Sequence, residues 1–198
     1  MRITGGRWRS RALKAPKGMA TRPTSDRVRE ALFSMLVSDG LLGEDESPRV
    51  LDLYAGSGAL AFEALSRGAC AAVLVESARD AVAAIRENTV ALGAESEVRL
   101  FDTKVDRALP KIDGPFGVVF LDPPYADVVT KAFADVLVAA AVLLAPGGAL
   151  VLEHGSSDEP PAIAGLRLDR SRRYGDTALT LYRRPIPEAA GPGGVSST

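Results

Sequence analysis

The chain holds one cysteine, Cys70, and one histidine, His154, among 198 residues. With a single thiol there is no internal disulfide. With a single imidazole there is no Cys/His set from which to build a zinc site, so no metal is expected. No apolar run approaches the roughly 18 residues that cross a bilayer. The opening stretch, MRITGGRWRSR, has no apolar segment of the kind a secretory signal carries. These gaps exclude a disulfide scaffold, a membrane-spanning protein and the common zinc hydrolases, and the expected compartment is the cytoplasm. Cys70 lies in GACAAVL, entering an apolar strand, and is expected to be a small buried hydrophobe rather than a nucleophile. His154 closes a later apolar run and is expected to be a hydrogen-bonded structural side chain.

What is present is an ordinary globular composition, 46% hydrophobic and 25% charged, of a length that suits one domain with a full core. The net charge of −1 hides an asymmetry. Arg2, Arg7, Arg9, Arg11, Lys14, Lys17, Arg22, Arg27 and Arg29 face only Asp26 in the first 29 residues, so that segment carries +8 and the rest carries −9. A basic arm on an acidic body suits a partner that is a polyanion. Trp8 stands between Arg7 and Arg9, and an aromatic among arginines suits nucleic acid, where bases stack and phosphates pair. Arg7, Trp8, Arg9 and Arg11 are therefore the expected nucleic-acid-binding residues.

The hydrophobic pattern alternates between two periods. RIT and RWRSRAL flank Gly5-Gly6 and predict an N-terminal β-hairpin. A helix is expected from Thr24 or Ser25, with Val28, Ala31, Leu32, Met35 and Leu36 as its apolar stripe. VLDLY, AAVLVE, EVRLF, FGVVFL and ALVLEH read as strands. Helices are expected at Ala59 to Arg67, from a Ser77 N-cap to Gly93, and at Val128 to Leu144, with a short turn ended by Pro110. Near-continuous apolar strands separated by helices predict a mostly parallel sheet covered on both faces. LRLDRSRRYGDTALTLYRR breaks the rhythm and predicts a C-terminal antiparallel hairpin around Gly175-Asp176. The expected organisation is a basic arm at 1–20, an α/β domain at 21–185 and a flexible tail at 186–198, since PIPEAAGPGGVSST has little to bury.

In such sheets ligands sit beyond the carboxyl ends of the strands. Glu76, Asp102, Asp122 and Glu153 all stand at or just past those ends. In DLYAGSGALA, Gly56 and Gly58 allow a tight turn and a close approach to a ligand. Glu76 follows Gly56 by 20 residues, where a carboxylate can hold both hydroxyls of a ribose. GSGALA alone fits a dinucleotide or a nucleoside equally. FLDPPY separates the two. Asp122 is an acceptor, Pro123 and Pro124 offer carbonyls without N–H groups, and Tyr125 adds a flat ring. Rigid acceptors beside a stacking face describe a clamp for a planar ring with an exocyclic amine. They favour a localised nitrogen lone pair and stabilise the charge that builds as that nitrogen attacks.

These residues resemble class I S-adenosylmethionine-dependent methyltransferases of the Rossmann-like fold, with a seven-stranded sheet and an amino-methylating D-P-P-Y motif. DLYAGSG, with Asp52, looks like their cofactor glycine loop, VLVE their ribose-binding acid and FDTK, with Asp102, their adenine-side acid. MRITGGRWRSRALKAP and TRPTSDRVREALFSML narrow the resemblance to the bacterial enzymes of RsmD type, which methylate N2 of one guanine in 16S ribosomal RNA. The likeness runs from residue 1 to about 184. It implies that Gly56, Gly58, Glu76 and Asp102 bind the methyl donor and that the loop of Thr21, Arg22, Pro23 and Thr24 covers it. It also implies that Asp122, Pro123 and Tyr125 hold the guanine. The implied partner is 16S rRNA, within a small ribosomal subunit or an assembly intermediate.

Three alternatives stand beside it. DPPY is equally at home in methyltransferases acting on adenine N6 or cytosine N4 of DNA, although the chain has no target-recognition domain. A nicotinamide-dependent dehydrogenase could use GSGALA. A non-catalytic RNA-binding module could use the arm alone. Cys70, entering a strand, argues against methylation at a pyrimidine carbon, which commonly needs a cysteine adduct.

Overall fold

A computed structural model describes residues 1–16, 26–43, 45–123 and 130–187. Its strands are β1 (Arg49–Leu53), β2 (Ala71–Glu76), β3 (Val98–Asp102), β4 (Phe116–Leu121), β5 (Leu144–Gly155), β6 (Arg167–Tyr174) and β7 (Thr177–Arg183). They form one sheet in the order β3-β2-β1-β4-β5-β7-β6. The first five run parallel, and β7 and β6 pair antiparallel at one edge. The helices are α1 (Asp26–Ser38), α2 (Ala59–Ser66), α3 (Arg79–Leu92), α4 (Val105–Ala108) and α5 (Lys131–Val142).

Both faces of the sheet are covered, because successive strand residues point to opposite sides. Val50, Val118, Phe120 and Val151 pack with Leu32, Phe33, Phe62 and Ile85 of α1, α2 and α3. Leu51, Val119, Leu121 and Leu152 pack with Val105, Phe133 and Leu137 of α4 and α5. Buried aliphatic strands sandwiched this way explain why β2 and β4 read as nearly continuous apolar runs.

Several expectations shift in detail. The buried face of α1 is Arg29, Leu32, Phe33 and Leu36, one position round from the expected stripe; Val28, Ala31 and Met35 are only half-buried. Arg29 takes a core position because buried acceptors surround it. The expected start of α1 at Thr24 or Ser25 lies outside the described residues. Ser77 is not the N-cap of α3: Ala78 is, without a side-chain bond, and the Ser77 amide instead donates to Glu76. Pro110 lies inside a 3₁₀ turn, Leu109–Lys111, rather than ending the α4 turn. Helix α5 starts at Lys131, where the Thr130 hydroxyl accepts from the Phe133 amide at 3.2 Å. Cys70 is exposed, not buried. It immediately precedes the amino end of β2, outside the buried part of the strand.

The N-terminal arm folds back as an antiparallel hairpin. Ile3 N–H donates to Arg11 O at 3.0 Å, Leu13 N–H to Met1 O at 3.0 Å, and Arg2 faces Ala12. Its tip is a 3₁₀ turn, Gly6–Trp8, rather than a two-residue Gly-Gly loop. The glycines serve another end. A Cβ on Gly6 would lie 1.8 Å from the Ser66 carbonyl oxygen, and one on Gly5 would meet the Arg67 guanidinium at 2.4 Å. They let the arm lie directly on the end of α2.

Candidate active site

Strand order reverses at β1, which has β2 on one side and β4 on the other. Open α/β sheets bind ligands in the crevice at such a reversal. Leu53 pairs with Leu121, so the chain leaves β1 and β4 side by side. The turn beginning at Tyr54 and the segment beginning at Asp122 therefore share one rim.

The turn after β1 is built from left-handed backbone. Tyr54, Gly56 and Gly58 have φ of 65°, 56° and 78°. At Gly58 a Cβ would sit 2.6 Å from the Phe62 ring, so only glycine permits α2 to begin there. At Gly56 a Cβ would meet nothing within 4 Å, and the backbone faces open space where a ligand can approach. Tyr54 is not a glycine, and such a conformation costs on the order of 1–3 kcal/mol. Its ring lies 6.5 Å from that of Phe133. Sequence reading missed Tyr54 because a tyrosine between a strand and a glycine turn carries no signal of positive φ.

Glu76 ends β2 and is gripped by backbone. One oxygen accepts from the Gly56 amide at 2.8 Å; the other accepts from Ser77 and Ala78 at 2.7 and 2.8 Å. Asp102 pairs with Glu76 in register at the end of β3, and its carboxylate meets Arg86 at 3.1 Å. Asp52 lies one layer deeper. It is buried and accepts from the Ala61 amide at 3.1 Å, at the start of α2. Burial pushes its pKa up to about 8; the Ala61 hydrogen bond opposes that shift, and the charges of Asp122 and Glu76 add to it.

Asp122 follows β4, and Pro123 behind it is buried. Crowding by protein raises the Asp122 pKa, and the charge of Glu153 on β5 raises it further. The carboxyl nevertheless keeps an accessible side, and water there damps the shift. Glu76, Asp122 and Glu153 thus cluster around the reversal point, with the buried Asp52 beneath them. Pro124 and Tyr125, and Thr21, Arg22 and Pro23, lie outside the described residues. His154 is buried one residue beyond Glu153, with Nδ1 2.9 Å from the Gly155 carbonyl and Nε2 2.8 Å from the Thr180 hydroxyl. A ring with a hydrogen-bond partner at each nitrogen is structural, as expected from the sequence.

The arm's cations are largely engaged with the body. Arg7 pairs with Glu97 at 2.6 Å and stacks over Trp8 at 4.1 Å. Arg11 donates to the Ala91 carbonyl at 2.6 Å, and Lys14 pairs with Glu87. Trp8 is half-buried against the core, and Arg9 points into solvent. Beneath them Glu63, fully buried on α2, accepts from the Thr4 amide and hydroxyl, the Gly5 amide and Arg67 at 2.7–2.9 Å. Asn88 of α3 joins the arm to the glycine turn, bonding Lys14 N–H at 2.8 Å and the Ser57 carbonyl at 3.1 Å. Glu63 and Asn88 escaped the sequence reading because their partners on the arm lie more than 50 residues away.

Known proteins share this arrangement from end to end. "Ribosomal RNA small subunit methyltransferase D" of Escherichia coli (strain K12) is 33% identical over 184 residues, covering 93% of this chain and 90% of its own. The solved structure of yhhF from Escherichia coli matches with a TM-score of 0.80 at 34% identity, over 94% of this chain and 99% of that one. The hypothetical protein TTHA0928 of Thermus thermophilus matches with a TM-score of 0.76 at 37% identity, over 91% and 98%. TrmN from Thermus thermophilus, at 23% identity and a TM-score of 0.64, shares the fold. The family model described as Conserved hypothetical protein 95 matches residues 1–183, and the chain belongs to that family, a group of methyltransferases with a Rossmann-like sheet.

Proposed function

We propose that this protein transfers a methyl group from S-adenosylmethionine to the exocyclic N2 of a guanine in 16S rRNA. The observation that carries the reading is Asp122-Pro123 on the rim of the strand reversal, opposite the Glu76-braced glycine turn. The end-to-end likeness to a relative named for the small-subunit rRNA supports the choice of substrate. The rival reading, an adenine-N6 or cytosine-N4 methyltransferase of DNA, gains no support from that relative.

The rim fits the methyl donor. Bound there, S-adenosylmethionine supplies an electrophilic methyl on a sulfonium cation. The carboxylates at the strand ends around the reversal point favour such a cation. Glu76 has lone pairs left beyond its three backbone bonds with which to meet ribose hydroxyls. Gly56 leaves its side of the turn open for the donor, and Asp102, at the end of β3, is assigned to the adenine side. Thr21, Arg22 and Pro23 are assigned to cover the donor.

Asp122 and the carbonyl of Pro123 are assigned to hold the guanine amine, with Pro124 and Tyr125 completing the clamp. As acceptors they hold the amine hydrogens and leave the nitrogen lone pair aimed at the methyl carbon. The proton released from that nitrogen passes to Asp122 or to water. The base must leave its stack to reach this depth. Alignment supplies most of the rate. On the arm, Arg9 is a cation without an acidic partner among the described residues, and Arg7, Trp8 and Arg11 present their outer sides to the same RNA.

The test is to incubate the protein with labelled S-adenosylmethionine and small ribosomal particles from cells lacking it, then map the label. Label on N2 of one 16S guanine is expected. Label that enters duplex DNA and no ribosomal particle would overturn the reading.

A further inference from the structure

Among the described residues, exposed positive charge without an acidic partner is found away from the arm as well. It lies at the other end of the sheet, on the edge strand β6. Four arginines lie on this strand, and they divide by environment. Arg170 is drawn to Asp39 at 3.2 Å and Asp169 at 2.9 Å, and Arg167 lies 3.6 Å from Asp169. Arg172 and Arg173 are exposed and meet no acid among the described residues. The acids nearest in sequence are Asp169, which pairs with Arg167 and Arg170, and Asp176 in the turn that follows.

Register puts these two arginines level with the active rim. Arg172 pairs with Leu179, and Leu179 pairs with Glu153. Leu121 pairs with Leu152, so Asp122 is next to Glu153 in the same row. Paired residues point to one face of a sheet, so Arg172 projects on the side of Asp122. At about 4.8 Å between strands, three steps place its Cα about 14 Å from that of Asp122. Arg173 pairs with Ala178 and Ala178 with His154, one residue further toward the carboxyl end of β5 and on the opposite face. The two guanidinium groups thus straddle the end of the sheet beside the clamp, next to a centre that is strongly acidic.

We propose that Arg172 and Arg173 dock the RNA backbone beside the target guanine. The inference rests on the rRNA reading above and adds a surface to it. An acidic rim that accepts the base repels the phosphates on either side of it. Two arginines free of acids among the described residues, about 14 Å away between Cα atoms, offset that repulsion and fix the direction from which the strand enters. Charged residues on an edge strand also deter edge-to-edge pairing. Edge protection, however, asks only for charge of either sign, whereas RNA docking asks for positive charge.

The test uses that difference. The double variant Arg172→Glu/Arg173→Glu keeps the edge charged and reverses its sign. Binding of protein-free 16S rRNA is measured at several salt concentrations, with melting temperature and S-adenosylmethionine affinity measured alongside. The expected result is at least a tenfold loss of RNA affinity at low salt. The slope of log K against log salt should flatten by about one to two units, at roughly 0.7–0.9 per phosphate contact. Melting and donor affinity should stay as in the wild type. If the double variant melts early, Arg172→Gln/Arg173→Gln carries the same test with a smaller expected loss. Unchanged RNA affinity and slope in a folded variant would overturn the inference while the methylation assay of the wild type still stands. A wild-type protein that methylates no ribosomal particle would overturn the functional reading itself, and the inference with it.

Discussion

The Gly56 amide donates to a Glu76 carboxylate oxygen at 2.8 Å. The turn that closes β1 is thereby tied to the acid that ends β2, and the two halves of the donor site hold each other in place. Glu76→Ala removes the acceptor of three amides as well as the proposed ribose partner. S-adenosylmethionine affinity should fall by about 1.5–3 kcal/mol, the worth of a charged hydrogen bond, as read by calorimetric titration. Glu76→Gln should lose less, because an amide oxygen still accepts from the turn. Unchanged affinity in both would place the ribose elsewhere.

Asp122→Ala removes a fixed acceptor from the clamp. Turnover should drop by roughly a hundredfold or more, about 3 kcal/mol, while donor affinity holds. The pH profile carries a second signature. The raised pKa of Asp122 means that the carboxyl is partly protonated below neutrality and then donates where it should accept. Turnover should therefore climb as pH rises through the neutral range, and Asp122→Asn should flatten that climb. A profile unchanged in Asp122→Asn assigns the titration to another group.

Asp52 should make the fold less stable as pH rises. Its folded pKa of about 8 lies above the usual carboxylate value of 3.8, so the folded state binds a proton that the unfolded chain has released. Stability then falls with increasing pH between those two values and levels off above the higher one. Asp52→Asn keeps an acceptor for the Ala61 amide and never ionises. Denaturant titrations should show it equal to the wild type near pH 4 and more stable by a few kcal/mol near pH 8. Equal stabilities at both ends would mean that Asp52 stays ionised in the fold.

Glu63→Ala strands Arg29 in the core without its buried partner. Removing one member of such a pair costs about 3–5 kcal/mol, and the melting temperature should fall accordingly. Trp8→Ala should also lower melting, since the indole packs on the core. If Trp8→Ala weakens RNA binding with no change in melting, the indole is a stacking platform instead.

The sheet was legible in the sequence because its strands are buried on both faces, and helices with glycine stops separate them. AAVLVE and FGVVFL match β2 and β4 residue for residue. The site was legible as far as it is local: Gly56, Gly58 and Glu76 sit in short segments whose spacing has one structural meaning. What escaped is long-range. Nothing in ALAFEALS marks Glu63 as the acceptor for Thr4, and nothing in SDRVRE tells a solvated arginine from Arg29, which closes the core. The sum of charge along the chain showed a cationic arm, but only folding shows how much of that charge Glu97, Glu87 and Glu63 neutralise. The free arginines of β6 were hidden inside a hairpin read for its turn.

The arm's attachment to α2 and α3 also bears on the order of events during synthesis. Thr4 finds its acceptor 59 residues later, and Lys14 finds Asn88 74 residues later. The arm is thus among the last segments to dock, since the entropy of closing loops of that length is recovered only once the body it docks on has formed. Until then Ile3, Leu13 and Trp8 remain uncovered on a cationic nascent chain. Mutations in the arm should therefore speed unfolding rather than slow folding.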